Sequence, residues 1–379
     1  MRIIRVQLDP ITTRREVGPP SQHVVVRLEA NSGFAGVGEM PDFSHLPATV
    51  PDVGDLQACL QMLLEGRDPL DRTGIADALL GAFPGGRFGA KTSLVRCGVD
   101  IAVHDLSAKA LGVPVCALLG GRVRDRIPVS YPLFRTTSLD AVEAQLERVR
   151  QKRAEGFDTY RLYVGACPEA DVAVLSGLRD AFGSSVRVAA IDASGLLSPA
   201  EFAALYRRLE DFEFDYVESP VHRWDIEGLA EVRRRIAHPV SEHIEGGAHA
   251  LELVRRRAVD IFNISVSVAG GLLPARALFS IAEAAGVACL IGTTQETSVG
   301  TAAQAHLGAS VSCLAYPSNP VGPRLYTEDV VRRPIEYADG ALVVPEGPGL
   351  GVELDDEHLA QLRSPLTMVE HVRARFPRG

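Results

Sequence analysis

One feature limits the fold more than any other: from about Ile127 onward, short apolar segments alternate with amphipathic stretches. The apolar segments are Val129–Leu133, Thr159–Val164, Val186–Ile191, Phe214–Val217, Pro239–Ser241, Ile261–Val266, Ala288–Ile291 and Val311–Ala315. Between them lie helical patterns such as Ala141–Glu155, Pro199–Leu209, Ile226–Ile236 and Leu273–Ala285. Segments this short and apolar read as strands buried on both faces. Parallel strands need long, usually helical crossovers, so eight such units over about 190 residues predict a closed parallel barrel and not an open sheet.

The residues before the barrel read differently. Ile3–Leu8 and Val24–Leu28 alternate like strands, Thr12–Ser21 is a polar Pro/Gly-rich loop, and Gly33–Glu39 is a turn and strand. Leu56, Cys59, Leu60, Leu63 and Leu64 recur at helix spacing, and a helix over Val95–Leu111 follows the Gly-rich connector Gly81–Gly89. The expected organisation is an α+β unit over residues 1–125, a catalytic barrel over 126–319, and a tail, 320–379, that packs back on the first unit.

A chain of 379 residues has room for both. A net charge of −9 excludes a nucleic-acid partner, which would need a basic face. No apolar run approaches the roughly 20 residues of a membrane helix, and Met1–Leu8 lacks the apolar core of a signal peptide, so a cytoplasmic protein is expected. The six cysteines form no CxxC pair and read as buried thiols. The cations are almost all arginine, the only lysines being Lys91, Lys109 and Lys152.

In such barrels chemistry sits at the C-terminal ends of the strands. Those ends carry Asp192, Glu218 and Glu242 on three successive strands. Neighbouring strands are about 5 Å apart, so the three carboxylates can converge, and their repulsion would raise a pKa unless a cation joins them. Mg²⁺ suits such an oxygen set. A single strand-end acid is more often a helix cap or an arginine partner; three in succession point to a shared ion.

Several motifs then resemble the mandelate racemase and muconate lactonizing enzyme branch of the enolase superfamily. Gly98-Val-Asp-Ile-Ala-Val-His-Asp-Leu through Leu118-Leu-Gly-Gly is similar to the family's signature segment, and Val217-Glu-Ser-Pro-Val to a metal-ligand motif. Gly270-Gly-Leu, Gln295-Glu-Thr-Ser-Val-Gly and the tail Gly347-Pro-Gly-Leu-Gly-Val-Glu-Leu also match, in the family's order. The resemblance implies a modified (β/α)8 barrel of the (β/α)7β type, capped by an α+β domain from both chain ends. It also implies a homo-oligomer, and Mg²⁺ on Asp192, Glu218 and Glu242, with Glu245 the alternative third ligand. The shared chemistry would be removal of a proton α to the carboxylate of a small-molecule substrate. Arg14 and Arg15, in a loop that in this family closes over the substrate, together with Ser265, Gln295 and Glu296, are the expected substrate contacts.

The family's lysine bases are missing. Strand two reads Tyr160-Arg161-Leu162-Tyr163, placing Arg161 and Tyr163 where Lys-x-Lys would stand, and Ser265 takes the place of a further base on strand six. No lysine follows Lys152, so no shift of alignment restores them. Tyr163 is the expected base if a neighbouring arginine and a metal lower its pKa. Arg161 suits a carboxylate or an oxyanion. His243 can serve as acid or base if it faces the cavity, although adjacent strand residues point to opposite faces, which argues against both Glu242 and His243 reaching in. The expected reaction is dehydration of a hydroxylated (sugar) acid. The alternatives are a racemase, epimerase or cycloisomerase of a carboxylate, and a metal- and ligand-binding barrel without turnover.

Overall fold

The computed structural model describes residues 1–42, 51–86 and 90–367; the end of the expected Gly81–Gly89 connector and the last dozen residues of the tail lie outside them. The chain opens with an antiparallel sheet, β1 (Ile3–Thr13), β2 (Ser21–Ala30) and β3 (Ala35–Met40), followed by α1 (Val53–Leu64), α2 (Arg72–Ala82) and α3 (Lys91–Leu111). Helix α1 starts where Asp52 accepts the Asp55 amide, and it buries Leu56, Leu60 and Leu64 as one stripe. Helix α3 is buried along nearly its whole length. Strand β3 lies on its backbone: a Cβ on Gly36 would fall 2.2 Å from the Ala102 carbonyl oxygen, and one on Gly38 2.0 Å from that of Gly98. Only glycine permits that approach.

After α4 (Val115–Leu118) and β4 (Arg126–Pro128) the barrel begins. Its elements are β5 (Tyr131–Leu133), α5 (Val142–Ala154), β6 (Thr159–Tyr163), α6 (Pro168–Phe182), β7 (Arg187–Asp192), α7 (Pro199–Leu209), β8 (Tyr216–Glu218) and α8 (Ile226–Arg235). They continue as β9 (Val240–His243), α9 (Gly247–Arg256), β10 (Ile261–Ile264), α10 (Val266–Ala269), α11 (Leu272–Ala285), β11 (Ala288–Ile291) and α12 (Ser298–Ala309). The seven strands pair in chain order, all parallel. Ile191, Val217, Val240 and Phe262 belong to the large core under the helices, whereas Ala190, Tyr216, Ile261 and Leu290 form a separate small cluster within.

The expected eighth strand over Val311–Ala315 does not form. Among the described residues, closure is made by isolated bridges, Cys289 to Leu314 and Val129 to Ser318. Pro317 lies between them and has no amide to donate, which breaks the ladder there.

The tail adds β12 (Tyr337–Ala338), β13 (Ala341–Val343), paired to β4, and α13 (Asp356–Leu362). Arg363 bridges to Ile11 of β1. Three buried acids tie the parts together. Asp105 of α3 accepts the amides of Val37 and Leu350, Asp100 accepts that of Leu272 at the start of α11, and Glu39 of β3 accepts those of Thr297 and Gly300 at the start of α12. No helix among the described residues is long and apolar enough to cross a membrane.

Candidate active site

Register decides which side chains reach the barrel interior. Tyr163 pairs with Asp192, Asp192 with Glu218, and Glu218 with Ser241, which places all four at one level on the inner face. His243, two residues on, pairs with Asn263 and shares that face. A register shift between Tyr160 and Arg161 sets Arg161 opposite Ala190, whose small side chain leaves room for a guanidinium. Irregularities of this kind re-aim side chains beside functional sites.

Glu242 falls on the other face. It pairs with Phe262, a residue of the outer core, and its Oε1 accepts the Ser219 hydroxyl at 2.9 Å and the His243 amide at 2.7 Å. This corrects the expected triplet: Asp192 and Glu218 meet, and His243 stands where the third carboxylate was expected. Glu245, the alternative, receives the Trp224 indole at 2.8 Å and Arg223 at 3.4 Å. Strand alternation, which the tip does not override, is the reason.

The two facing acids are bridged by Arg161. Its Nη1 donates to Glu218 Oε1 at 2.9 Å and lies 3.8 Å from Asp192 Oδ2, while Nη2 donates to the Tyr163 hydroxyl at 2.6 Å. His243 Nε2 is 3.3 Å from the same Glu218 oxygen. Burial would raise the Glu218 pKa, but Arg161 and His243 more than offset it and hold it at about 2. Burial and the neighbouring Glu218 charge raise Asp192 to about 6. Glu242 is pushed by burial to about 7, with Arg223 opposing.

Tyr163 departs from its expected role. Burial raises its phenol above the usual value by more than Arg161 lowers it, which favours the protonated form. Its ring stacks on Phe134 at 5.6 Å, with the guanidinium groups of Arg161 and Arg135 at 4.8 and 5.5 Å.

A cavity of about 570 Å³ opens over these groups, lined by Tyr163, Asp192, His243 and Arg161 and by Arg15, Arg135 and Arg223. Leu94, Phe134 and Leu196 give it apolar walls. Of the expected substrate contacts, Arg15 and Gln295 line it, and the Gln295 Oε1 is buried without a hydrogen-bond partner among the described residues. Arg14 is exposed and does not line it. Ser265 is buried outside the lining, and Glu296 is held by Thr293 and Thr294. Both are corrected to supporting positions. Arg135 and Arg223 went unnoticed in the sequence, although each lies just past the C-terminal end of a strand, the rule that found the acids. Arg135 Nη2 has no hydrogen-bond partner among the described residues.

A divalent cation does not fit these residues as they stand. Mg²⁺ needs several oxygen ligands in near-octahedral array. Here one carboxylate faces away, an imidazole stands in its place, and a guanidinium already bridges the other two. Among the described residues no group of three or more His, Cys, Asp or Glu is placed to hold a metal ion.

Fold and site together define a capped β/α barrel whose mouth gathers arginines and a half-buried phenol around a small cavity. The family model for the mandelate racemase / muconate lactonizing enzyme N-terminal domain matches residues 2–120, and that for the enolase C-terminal domain-like family matches 143–358. The chain belongs to the mandelate racemase / muconate lactonizing enzyme group of the enolase superfamily. It is 32% identical to a chloromuconate cycloisomerase of Cupriavidus pinatubonensis, covering 89% of this chain and 90% of that one. It is 30% identical to muconate cycloisomerase 1 of Acinetobacter baylyi (90% and 91%) and 26% identical to an N-succinyl-L-Arg/Lys racemase of Bacillus cereus (89% and 89%). The solved muconate lactonizing enzyme from Pseudomonas putida superposes with a TM-score of 0.86 at 27% identity, covering 96% of this chain and all of that one. These relatives are isomerases by name, so the expected dehydratase gains no support from them. Enzymes of this group generally use Mg²⁺, from which this mouth departs.

Proposed function

We propose that the protein is an isomerase of small unsaturated dicarboxylates, of the cycloisomerase kind, in which Tyr163 delivers the proton. The observation that carries this is the half-buried Tyr163 phenol at the barrel mouth, which accepts a hydrogen bond from Arg161 and lines the cavity, with burial favouring its protonated form. A dehydration or racemisation begins by taking a proton and needs a base at the outset. Lactonisation runs the other way. One substrate carboxylate oxygen bonds to an alkene carbon, the π pair moves to the carbon α to the second carboxylate, and that carbon takes a proton. A donor in place at the start suits this order.

Arg15, Arg135 and Arg223 would hold the carboxylates, and the apolar wall of Leu94, Phe134 and Leu196 would take the carbon chain. Arg161 would stabilise the phenolate left on Tyr163 before water reprotonates it. The residues proposed to act are therefore Tyr163 and Arg161, with Asp192 and Glu218 fixing the guanidinium and His243 supporting Glu218. The relatives' names, cycloisomerases of muconate and chloromuconate, support this substrate class.

The test is incubation with cis,cis-muconate, its chlorinated forms and N-succinyl amino acids in D₂O, followed by proton NMR. A lactone carrying one deuterium is expected. Formation of a 2-keto acid from hydroxylated acids, or α-exchange in N-succinyl amino acids without lactone, would replace the proposal with the dehydratase or the racemase.

A further inference from the structure

Two departures in the barrel mouth compensate each other. The third strand-end acid, Glu242, is turned to the outer face, and a cation, Arg161, has arrived on the inner one. Three carboxylates around a divalent ion carry −3 + 2 = −1; Asp192 and Glu218 around one guanidinium carry −2 + 1 = −1. The local charge is the same, and a dication added to the present set would leave it positive.

We infer that the Arg161 guanidinium occupies the position of the divalent ion, so that this site binds its carboxylate ligand without metal. The inference rests on the mouth being the carboxylate site proposed above. Two observations carry it. The guanidinium is buried, 4% exposed, and sits between both acids. Glu242 faces away and accepts the Ser219 hydroxyl, so no third carboxylate shares that position, and a guanidinium is a permanent cation. Where a metal would bind a substrate carboxylate as a point charge, a guanidinium can do so through paired N–H donors. His243 then serves as a hydrogen-bonding neighbour of Glu218, not as a metal ligand.

The test needs no substrate for its first arm. Purified protein treated with EDTA and titrated with Mn²⁺, followed by electron paramagnetic resonance and calorimetry, is expected to bind no stoichiometric ion. Mg²⁺ is likewise expected to leave its melting temperature unchanged, whereas a bound ion in large excess over its Kd would raise it by several degrees. Arg161→Met, which keeps much of the aliphatic stem, is expected to gain about one Mn²⁺ per chain on Asp192, Glu218 and His243, and Asp192→Asn in that background should abolish the gain. One Mn²⁺ bound by the wild-type chain and lost in Asp192→Asn would overturn the inference, as would a folded Arg161→Met that takes up none. The wild-type titration decides alone should the variant not fold. A second arm measures cis,cis-muconate binding in EDTA: binding that appears only with added Mg²⁺ overturns the inference, whereas no muconate binding under either condition, with the metal results as expected, overturns only the proposed function.

Discussion

The molecule buries two groups of acids, and they are built on opposite principles. At the seam between the first sheet and the barrel, Glu39 is fully buried and its oxygens receive His23 Nδ1 at 2.8 Å, the Thr297 amide and hydroxyl at 2.8 and 2.7 Å, and the Gly300 amide at 2.8 Å. Burial alone would raise its pKa, but these donors hold it below the ordinary value. At the mouth, by contrast, Glu218 Oε2 is buried with no hydrogen-bond partner found among the described residues, and its other oxygen is shared by Arg161 and His243. A satisfied buried acid fixes geometry; buried polar groups left short of partners wait for a ligand. The seam therefore reads as structural and the mouth as functional.

Breaking the seam should produce the largest effect on stability. Glu39→Ala leaves several buried donors without an acceptor, and a loss of about 3–5 kcal/mol is expected, read as a steep drop in melting temperature. An unchanged melting curve would remove the contrast.

At the mouth, Tyr163→Phe should do the reverse. Turnover is expected to fall by about 10²–10⁴-fold, as for loss of a general acid, while the melting temperature shifts by only a few degrees. Activity unaffected by this change would remove Tyr163 from the mechanism.

A smaller effect separates the regions by pH. His306, on the helix whose start holds Glu39, is buried against the Leu350 carbonyl at 3.1 Å, and burial lowers its pKa from 6.5 to about 4. A histidine held neutral contributes stability that is full above the unfolded value near 6.5 and is lost as pH falls from there toward 4. By pH 5 the loss should reach on the order of 1–2 kcal/mol. His306→Gln should flatten that slope in thermal melts, and an unaltered slope would place the acid sensitivity elsewhere.

Much of this was legible in the residues. The strands from β5 to β11 follow the predicted segments closely, because a short apolar run flanked by helical patterns has few other uses. Asp192 and Glu218 were found by position alone, as strand-end acids. The miss at the eighth segment is local: Val311–Ala315 is apolar enough for a strand, but Pro317 interrupts the ladder that would have defined one. Arg135 and Arg223 stand beyond the strand ends in loops whose course toward the cavity the sequence pattern does not specify.

What the sequence determined without help is the barrel rhythm, the acids on successive strands, and the absence of any lysine to act as base. What only the tertiary structure decided is parity, company and protonation. Glu242 and His243 are neighbours in the chain, and the pairing of β9 with β8 and β10 sends one out and the other in. Arg161 meets Glu218, 57 residues away, only because two strand registers bring them level. The Tyr163 pKa moves upward, against the expectation from its arginine neighbour, because burial outweighs that charge. Composition and spacing carry residue types along a line, whereas facing and desolvation exist only once the barrel has closed.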